Sequence, residues 1–264
     1  MSYGLTPYEF VQQVYYAQEK VVLDFQPCDD KYKEVLFEAN LVLQELQAEE
    51  DWSWLRERID LGSVHTHFPH EIPEYELPDW VYKVSTLHDD CLSICTHHDH
   101  ELLRVPIASV GSVHSVRQLR NDLQKLGVPF NSKLTAHVVG NTVTFNLPPR
   151  QFVGNSPHNH IYCDVQRRIP LLHICNEHCQ LEDPNDPFSC PEIEERIFTE
   201  IPDPNYVVMA TAARHAEGSP PAQGRIAGLQ DTARQILSSM RQNDASTTDP
   251  DFIEKDNFNY WSVI

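Results

Sequence analysis

Glu34-Val35-Leu36-Phe37-Glu38-Ala39-Asn40-Leu41-Val42-Leu43-Gln44-Glu45-Leu46-Gln47-Ala48-Glu49-Glu50-Asp51-Trp52-Ser53-Trp54-Leu55 is the stretch whose reading decides the fold. Leu36, Ala39, Leu43 and Leu46 recur at steps of three and four, and Val35 and Val42 widen the stripe. That is the spacing of an amphipathic helix, predicted to reach the Trp52/Trp54 region. Tryptophans at i and i+2 cannot share one helical face, so at least one of them covers a seam with a neighbouring element. No matching helical face follows in sequence until a helical pair begins near Asn205, more than a hundred residues later. The apolar stripe therefore has to wait for a distant partner.

Working outward, Thr6-Pro7-Tyr8-Glu9 carries a capping threonine, a proline at the first helical position and a glutamate at N3. This capping box predicts a first helix to about Glu19 that buries Phe10, Val11, Val14 and Tyr15. Gln26-Pro27-Cys28-Asp29-Asp30 breaks it and places acids at the start of the second helix. The distant partner is Tyr206-Val207-Val208-Met209-Ala210 with Ala212, Ala213 and Ala216, whose small residues let backbones approach closely. Gly218-Ser219-Pro220-Pro221 is a turn, and Ile226, Leu229, Ala233, Ile236 and Met240 mark a second helix of an αα-hairpin.

Between these helical blocks the period changes, from Ile59 onward. Val81-Tyr82-Lys83-Val84 alternates as a strand does. Ser115 to Leu126 reads as a short helix ending at Gly127. Lys133 to Val139, Gly140-Asn141 and Thr142 to Phe145 form the best hairpin, because Gly-Asn supplies the positive φ of two-residue turns. Ile161 to Val165 and Leu171 to Ile174 are further strand candidates. The expected fold class is α+β: a discontinuous α-helical bundle (1–60 and 192–243), an inserted β-rich subdomain (61–191) and an extended C-terminal tail (244–264).

The chain has 264 residues, 41% of them hydrophobic and 22% charged, and a formal charge of −19. Such a composition belongs to a globular chain with room for one core and an inserted subdomain. The acidity argues against sequence-independent nucleic-acid binding, which needs lysine and arginine to displace phosphate counterions. It is compatible with a wall past which DNA slides without sticking. No run approaches the roughly 20 apolar residues of a membrane span, and the N-terminus lacks the layout of a secretory signal. Seven cysteines, an odd number, argue against a complete disulfide framework and for a reducing cytoplasm.

Chemistry-bearing residues are plentiful but form no complete signature. Cys91, Cys95, His97, His98 and His100 make one cluster; His173, Cys175, His178 and Cys179, with Cys163 and Cys190 nearby, make another. Cys175-x3-Cys179 supplies two ligands of a tetrahedral zinc site, but a second clean pair is missing. There is no H-E-x-x-H, no G-x-S-x-G elbow and no phosphate-cradling glycine loop. The expectation is no catalytic residue, no metal and no cofactor. The alternative is a zinc-stabilised binding module or a metal-dependent enzyme built on the His/Cys-rich insert.

Two groups remain as candidate binding residues. Arg214, Arg225, Arg234 and Arg241 lie around the C-terminal hairpin. They form either a solvated face paired with acidic neighbours or a patch that docks an acidic partner, another copy of this chain included. Phe258, Tyr260, Trp261, Val263 and Ile264 follow a polar linker. They either fold back as an edge strand or anchor the chain to a partner, and the linker from Asp244 to Asp256 is long enough for the second.

The order of these features resembles the head-to-tail adaptor (connector, or head completion) proteins of tailed bacteriophages. It is carried by the helix Glu34 to Glu50 running into Asp51-Trp52-Ser53-Trp54-Leu55-Arg56 and by Tyr75-Glu76-Leu77-Pro78-Asp79-Trp80-Val81-Tyr82-Lys83-Val84. The hairpin around Val139-Gly140-Asn141-Thr142-Val143 and the closing pair that begins Ala212-Ala213-Arg214-His215-Ala216-Glu217-Gly218-Ser219-Pro220 complete it. The stretch from Arg150 to Pro191 departs from the family pattern. The resemblance implies a non-enzymatic virion protein, made in the host cytoplasm and resident at the head–tail interface. It implies a ring, twelve copies around, beneath the portal protein and lining the DNA channel. Its partners would be the portal, through the C-terminal tail, neighbouring copies of itself, and a tail or tail-terminator protein. Genomic DNA would pass without sequence-specific binding, and no membrane is involved. A tail terminator or baseplate protein is a third reading.

Overall fold

A computed structural model describes residues 5–20, 29–67, 71–85, 92–96, 100–107, 133–172, 197–198, 201–218 and 224–247. The protein is α+β. The described helices are α1 (Pro7–Glu19), α2 (Asp30–Glu49), α3 (Arg150–Val153), α4 (Asn205–Glu217) and α5 (Ile226–Thr247). The described strands are β1 (Arg56–Ser63), β2 (Tyr75–Glu76), β3 (Val81–Val84), β4 (Leu92–Thr96), β5 (Glu101–Val105), β6 (Ala136–Val139), β7 (Thr142–Phe145) and β8 (Asn159–Arg167). The chain divides into two compact units. One joins Met1–Trp54 to Ile169–Ile264; the other is Leu55–Arg168. The divisions fall at 54/55 and 168/169, where the sequence reading draws them at 60/61 and 191/192. Residues 56–60 lie in β1, and Ile169 donates its N–H to the Gln47 side chain of α2 (3.2 Å).

In the helical unit, α1 starts as its capping box dictates. The Glu9 N–H donates to the Thr6 hydroxyl (3.2 Å), and the Thr6 N–H donates to the Glu9 carboxylate (2.9 Å). Phe10, Val11, Val14 and Tyr15 are buried, as their spacing predicts. The second helix is shorter than expected, ending at Glu49 instead of running into the tryptophans. The chain then turns back, and the fully buried Trp52 donates its indole N–H to the Leu46 carbonyl (2.7 Å). That carbonyl is one of the four that a helix C-terminus leaves without an intrahelical partner, so Trp52 caps the helix it was expected to extend. At the other end of the chain, α4 buries Val207, Val208, Ala212, Ala213 and Ala216, and α5 buries Leu229, Ala233 and Met240.

Residues from Asp244 were expected to be a flexible linker. Instead α5 continues to Thr247. The Asp244 carboxylate accepts the Ser53 backbone N–H (3.0 and 3.2 Å) and hydroxyl. A carboxylate placed there satisfies a donor that the turn after α2 leaves open. Leu5 and Ile197 pair as an isolated antiparallel bridge, and Phe198 meets Phe10 edge-on at 5.0 Å.

In the strand unit, β8 is central. It pairs antiparallel with β1 on one side and with β4 and then β3 on the other; β5 extends the sheet beyond β4. Ile161, Cys163 and Val165 point into the core with Ile59, Leu92 and Ile94, the period-two signature of a half-buried strand. The hairpin β6–β7 forms as predicted, with Gly140 at φ 59°, and β2 adds a third strand to it. Leu171 and Leu172, expected to begin a strand, are irregular, and Leu172 is instead held through backbone bonds to the Asn40 side chain (2.7 and 2.9 Å). The helix expected over Ser115–Leu126 lies outside the described residues.

Candidate functional site

The helical unit carries most of the chain's charge. It holds 27 Asp and Glu against 9 Lys and Arg, a balance of −18, while the strand unit holds 12 against 11, a balance of −1. Nearly all of the acidity noted in the sequence thus belongs to one unit. Its few arginines are placed accordingly.

Arg214 of α4 reaches α2 with both ends of its fork: Nε lies 2.7 Å from Glu38 Oε2, and Nη1 donates to Glu45 Oε1 at 2.6 Å. The hydrogen bond with Glu45, foremost, raises its pKa further above the ordinary arginine value. Arg241 of α5 does the same at the end of α2, with Nε 2.6 Å from Glu50 and Nη2 paired with Glu49. Arg225 donates to the Gln18 carbonyl (2.8 Å), one of the last carbonyls of α1, where a cation also suits the helix dipole. Among the described residues Arg234 pairs with Asp231 one turn earlier (3.0 Å), and its side chain is 71% exposed. Among the four arginines singled out in the sequence, three join separate helices of one unit, and Arg234 points its charge outward. Phe258, Tyr260, Trp261, Val263 and Ile264 lie outside the described residues.

Beside Arg214 and Arg234 the surface is concave. It is lined by Tyr206, Ala210 and Ala213 of α4, Val42 and Glu45 of α2, and Ala233 and Leu237 of α5. The cavity is about 500 Å³ and open to solvent. Tyr206 lines it: burial first, then Glu49 and Glu45, raise its phenol pKa, and Arg241 partly offsets them. The groove therefore sets apolar side chains beside charged ones of both signs, Glu45, Arg214, Glu217 and Arg234.

A second polar feature was not flagged in the sequence. Gln18 is 1% exposed, and its amide donates to the Ala212 carbonyl (2.8 Å) and lies 3.0 Å from His215 Nδ1. His215 packs edge-on to Tyr15 at 5.3 Å. Burial lowers its pKa below the ordinary 6.5, against the opposing pull of Glu34, Glu38 and Glu19. The Tyr15 phenol is pushed up to about 12 by burial and by Glu34 and Glu19. These groups tie α1 to α4. No local pattern announces them, since a glutamine on an apolar face gains its meaning only from a partner 194 residues away.

Of the cysteine and histidine clusters, the described residues include Cys95, His100 and Cys163, and Cys95 and Cys163 lie on the paired strands β4 and β8. Cys95 and Cys163 are buried free thiols. Cys163 belongs to the apolar core, while Cys95 lies under Arg58, whose guanidinium donates to it at 3.2 Å and to the Ser93 hydroxyl at 2.8 Å. Arg58 also stacks over Tyr162 at 4.9 Å. His160 pairs with Asp60 at 2.8 Å. Among the described residues no group of three or more His, Cys, Asp or Glu is placed to hold a metal ion. Cys91, His97, His98, His173, Cys175, His178, Cys179 and Cys190 lie outside them. No described helix is long and apolar enough to cross a membrane. No protein-family model matches the chain, and no curated protein matches it.

Proposed function

We propose that this protein is a structural virion component, a head-to-tail adaptor of a tailed bacteriophage that forms a ring of twelve copies between the portal and the tail. In this reading the fold is a discontinuous α-helical bundle with an inserted β-rich subdomain and an extended C-terminal docking tail. The protein works by assembly and not by catalysis. The observation that supports it best is the pairing of architecture with charge. Helices from the two ends of the chain make one unit with a balance of −18, and the intervening strands make a nearly neutral second one. A strongly acidic unit suits a channel wall, because like charge repels the passing polymer and keeps it from sticking. A nearly neutral unit suits protein contacts toward the tail. The polar linker and aromatic end after α5 supply anchors for the portal.

The test is solution mass, for the purified chain alone and after mixing with the portal protein. The expected result is a monomer that joins the portal in a stoichiometric ring, and that loses this ability, but not its fold, on deletion of Phe258 to Ile264. A chain that ignores the portal, particularly one carrying stoichiometric zinc, would overturn the reading in favour of the zinc-stabilised module.

A further inference from the structure

We propose that the groove between α2, α4 and α5 is the docking site for the aromatic end of this same chain, Phe258 to Ile264. Tyr206, Ala210 and Leu237, which line it, are only half-buried, so apolar surface lies open there beside Arg214 and Arg234. A cavity of about 500 Å³ falls in the range that takes bulky apolar side chains or small ligands. The stretch best fitted by composition is the one that places Phe258, Tyr260, Trp261, Val263 and Ile264 within seven residues.

Reach and charge select the same occupant. From Leu237 in the groove to Thr247 at the end of α5 is ten residues of helix, about 15 Å. Residues 248–257, another ten, span up to roughly 33 Å when extended, enough to double back over that distance with slack. Those ten residues include Asp249, Asp251, Glu254 and Asp256, which would run past the outward-pointing guanidinium of Arg234. A tether this short gives an effective concentration on the order of millimolar, so the chain's own end outcompetes a second copy in dilute solution. The inference does not depend on the ring reading; if both hold, the portal competes with the groove for the same anchors.

The test uses the full chain with Trp261→p-benzoylphenylalanine, irradiated as a dilute monomer and digested. Expected are adducts on peptides spanning 206–217 or 226–241, in a species of monomer mass. Leu237→Glu should cut their yield about tenfold, which corresponds to losing about 1.4 kcal/mol of binding. Ala210→Glu serves as a second groove variant should the first disturb folding, and Gln235→Glu, on the exposed side of α5, should leave the yield within about twofold. Adducts elsewhere, yields unmoved by the groove variants, or groove adducts only at twice the monomer mass would each overturn the proposal. No portal is present in the experiment, so its failure leaves the adaptor reading standing.

Discussion

Replacing Gln18 is the most direct probe of how the helical unit is closed. Its side chain is 1% exposed and joins α1 to α4 through the Ala212 carbonyl and His215. Gln18→Ala removes two hydrogen bonds worth about 1 kcal/mol each, net of those made with water. It also removes packing equivalent to two methylenes, at about 0.8 kcal/mol each before any cavity term. The expected loss is therefore about 3–4 kcal/mol, a large share of the roughly 5–15 kcal/mol that holds a typical domain together. Gln18→Met keeps the volume and loses only the bonds, so it should cost about 1–2 kcal/mol. The assay is urea unfolding followed by far-ultraviolet circular dichroism, because the four long described helices all belong to this unit. The slope should stay constant while the midpoint falls, Ala further than Met. A loss below about 1 kcal/mol for Gln18→Ala would refute the argument, since neither term could then operate as described.

The same cluster predicts a pH dependence. Burial holds the His215 pKa below 6.5 in the folded state, so the unfolded chain binds more protons in that range. The stability contributed is complete above about pH 6.5 and is lost as the pH falls toward the lower folded value; urea midpoints at about pH 7.5 and 5 should show it, and His215→Gln should flatten that part of the slope. Asp244→Ala should cost about 1–2 kcal/mol and speed hydrogen exchange at the Ser53 amide, which loses its charged acceptor. At the β6–β7 turn, Gly140 has φ 59° and open space where a Cβ would sit, so the cost of substitution is conformational. Gly140→Val should therefore destabilise the strand unit by about 1–2 kcal/mol in thermal melts, and Gly140→Asn by clearly less.

What the sequence makes legible here are features written within a few residues. The Thr6–Glu9 box, the Gly140-Asn141 turn and the i, i+3, i+4 stripes of α2 and α4 all depend on neighbours close in the chain, and all appear as read. The boundary at Trp52 was missed because its role is to bend back onto Leu46, an outcome that helical periodicity cannot express. β4 was hidden by its chemistry. In Leu92-Ser93-Ile94-Cys95 the buried Cys95, on the face of Ser93, blurs the alternation of Leu92 and Ile94, and nearby histidines draw attention to metal ligation. The four arginines lie around the C-terminal helix pair as expected, Arg214 on α4, Arg234 and Arg241 on α5, and Arg225 just before it. The partners of Arg214 and Arg241, namely Glu38, Glu45, Glu49 and Glu50, were not foreseeable, since each pair joins residues more than 160 apart. The groove is illegible for the same reason: alanines at Ala210 and Ala213 announce close packing, and only the three-helix arrangement shows where that packing stops short.

The helical unit is made from the two ends of the chain, and that has a consequence during synthesis. Every described strand lies between Arg56 and Arg167, so the sheets can close once that stretch has left the ribosome. The apolar stripe of α2 is complete at Glu49, yet α4 does not begin until Asn205. At about 5–20 residues per second, those intervening residues take roughly ten to thirty seconds to translate. Throughout that interval Leu36, Val42, Leu43 and Leu46 wait without the helix that will cover them. A nascent chain of this design exposes the apolar stripe of α2 early and covers it with α4 late.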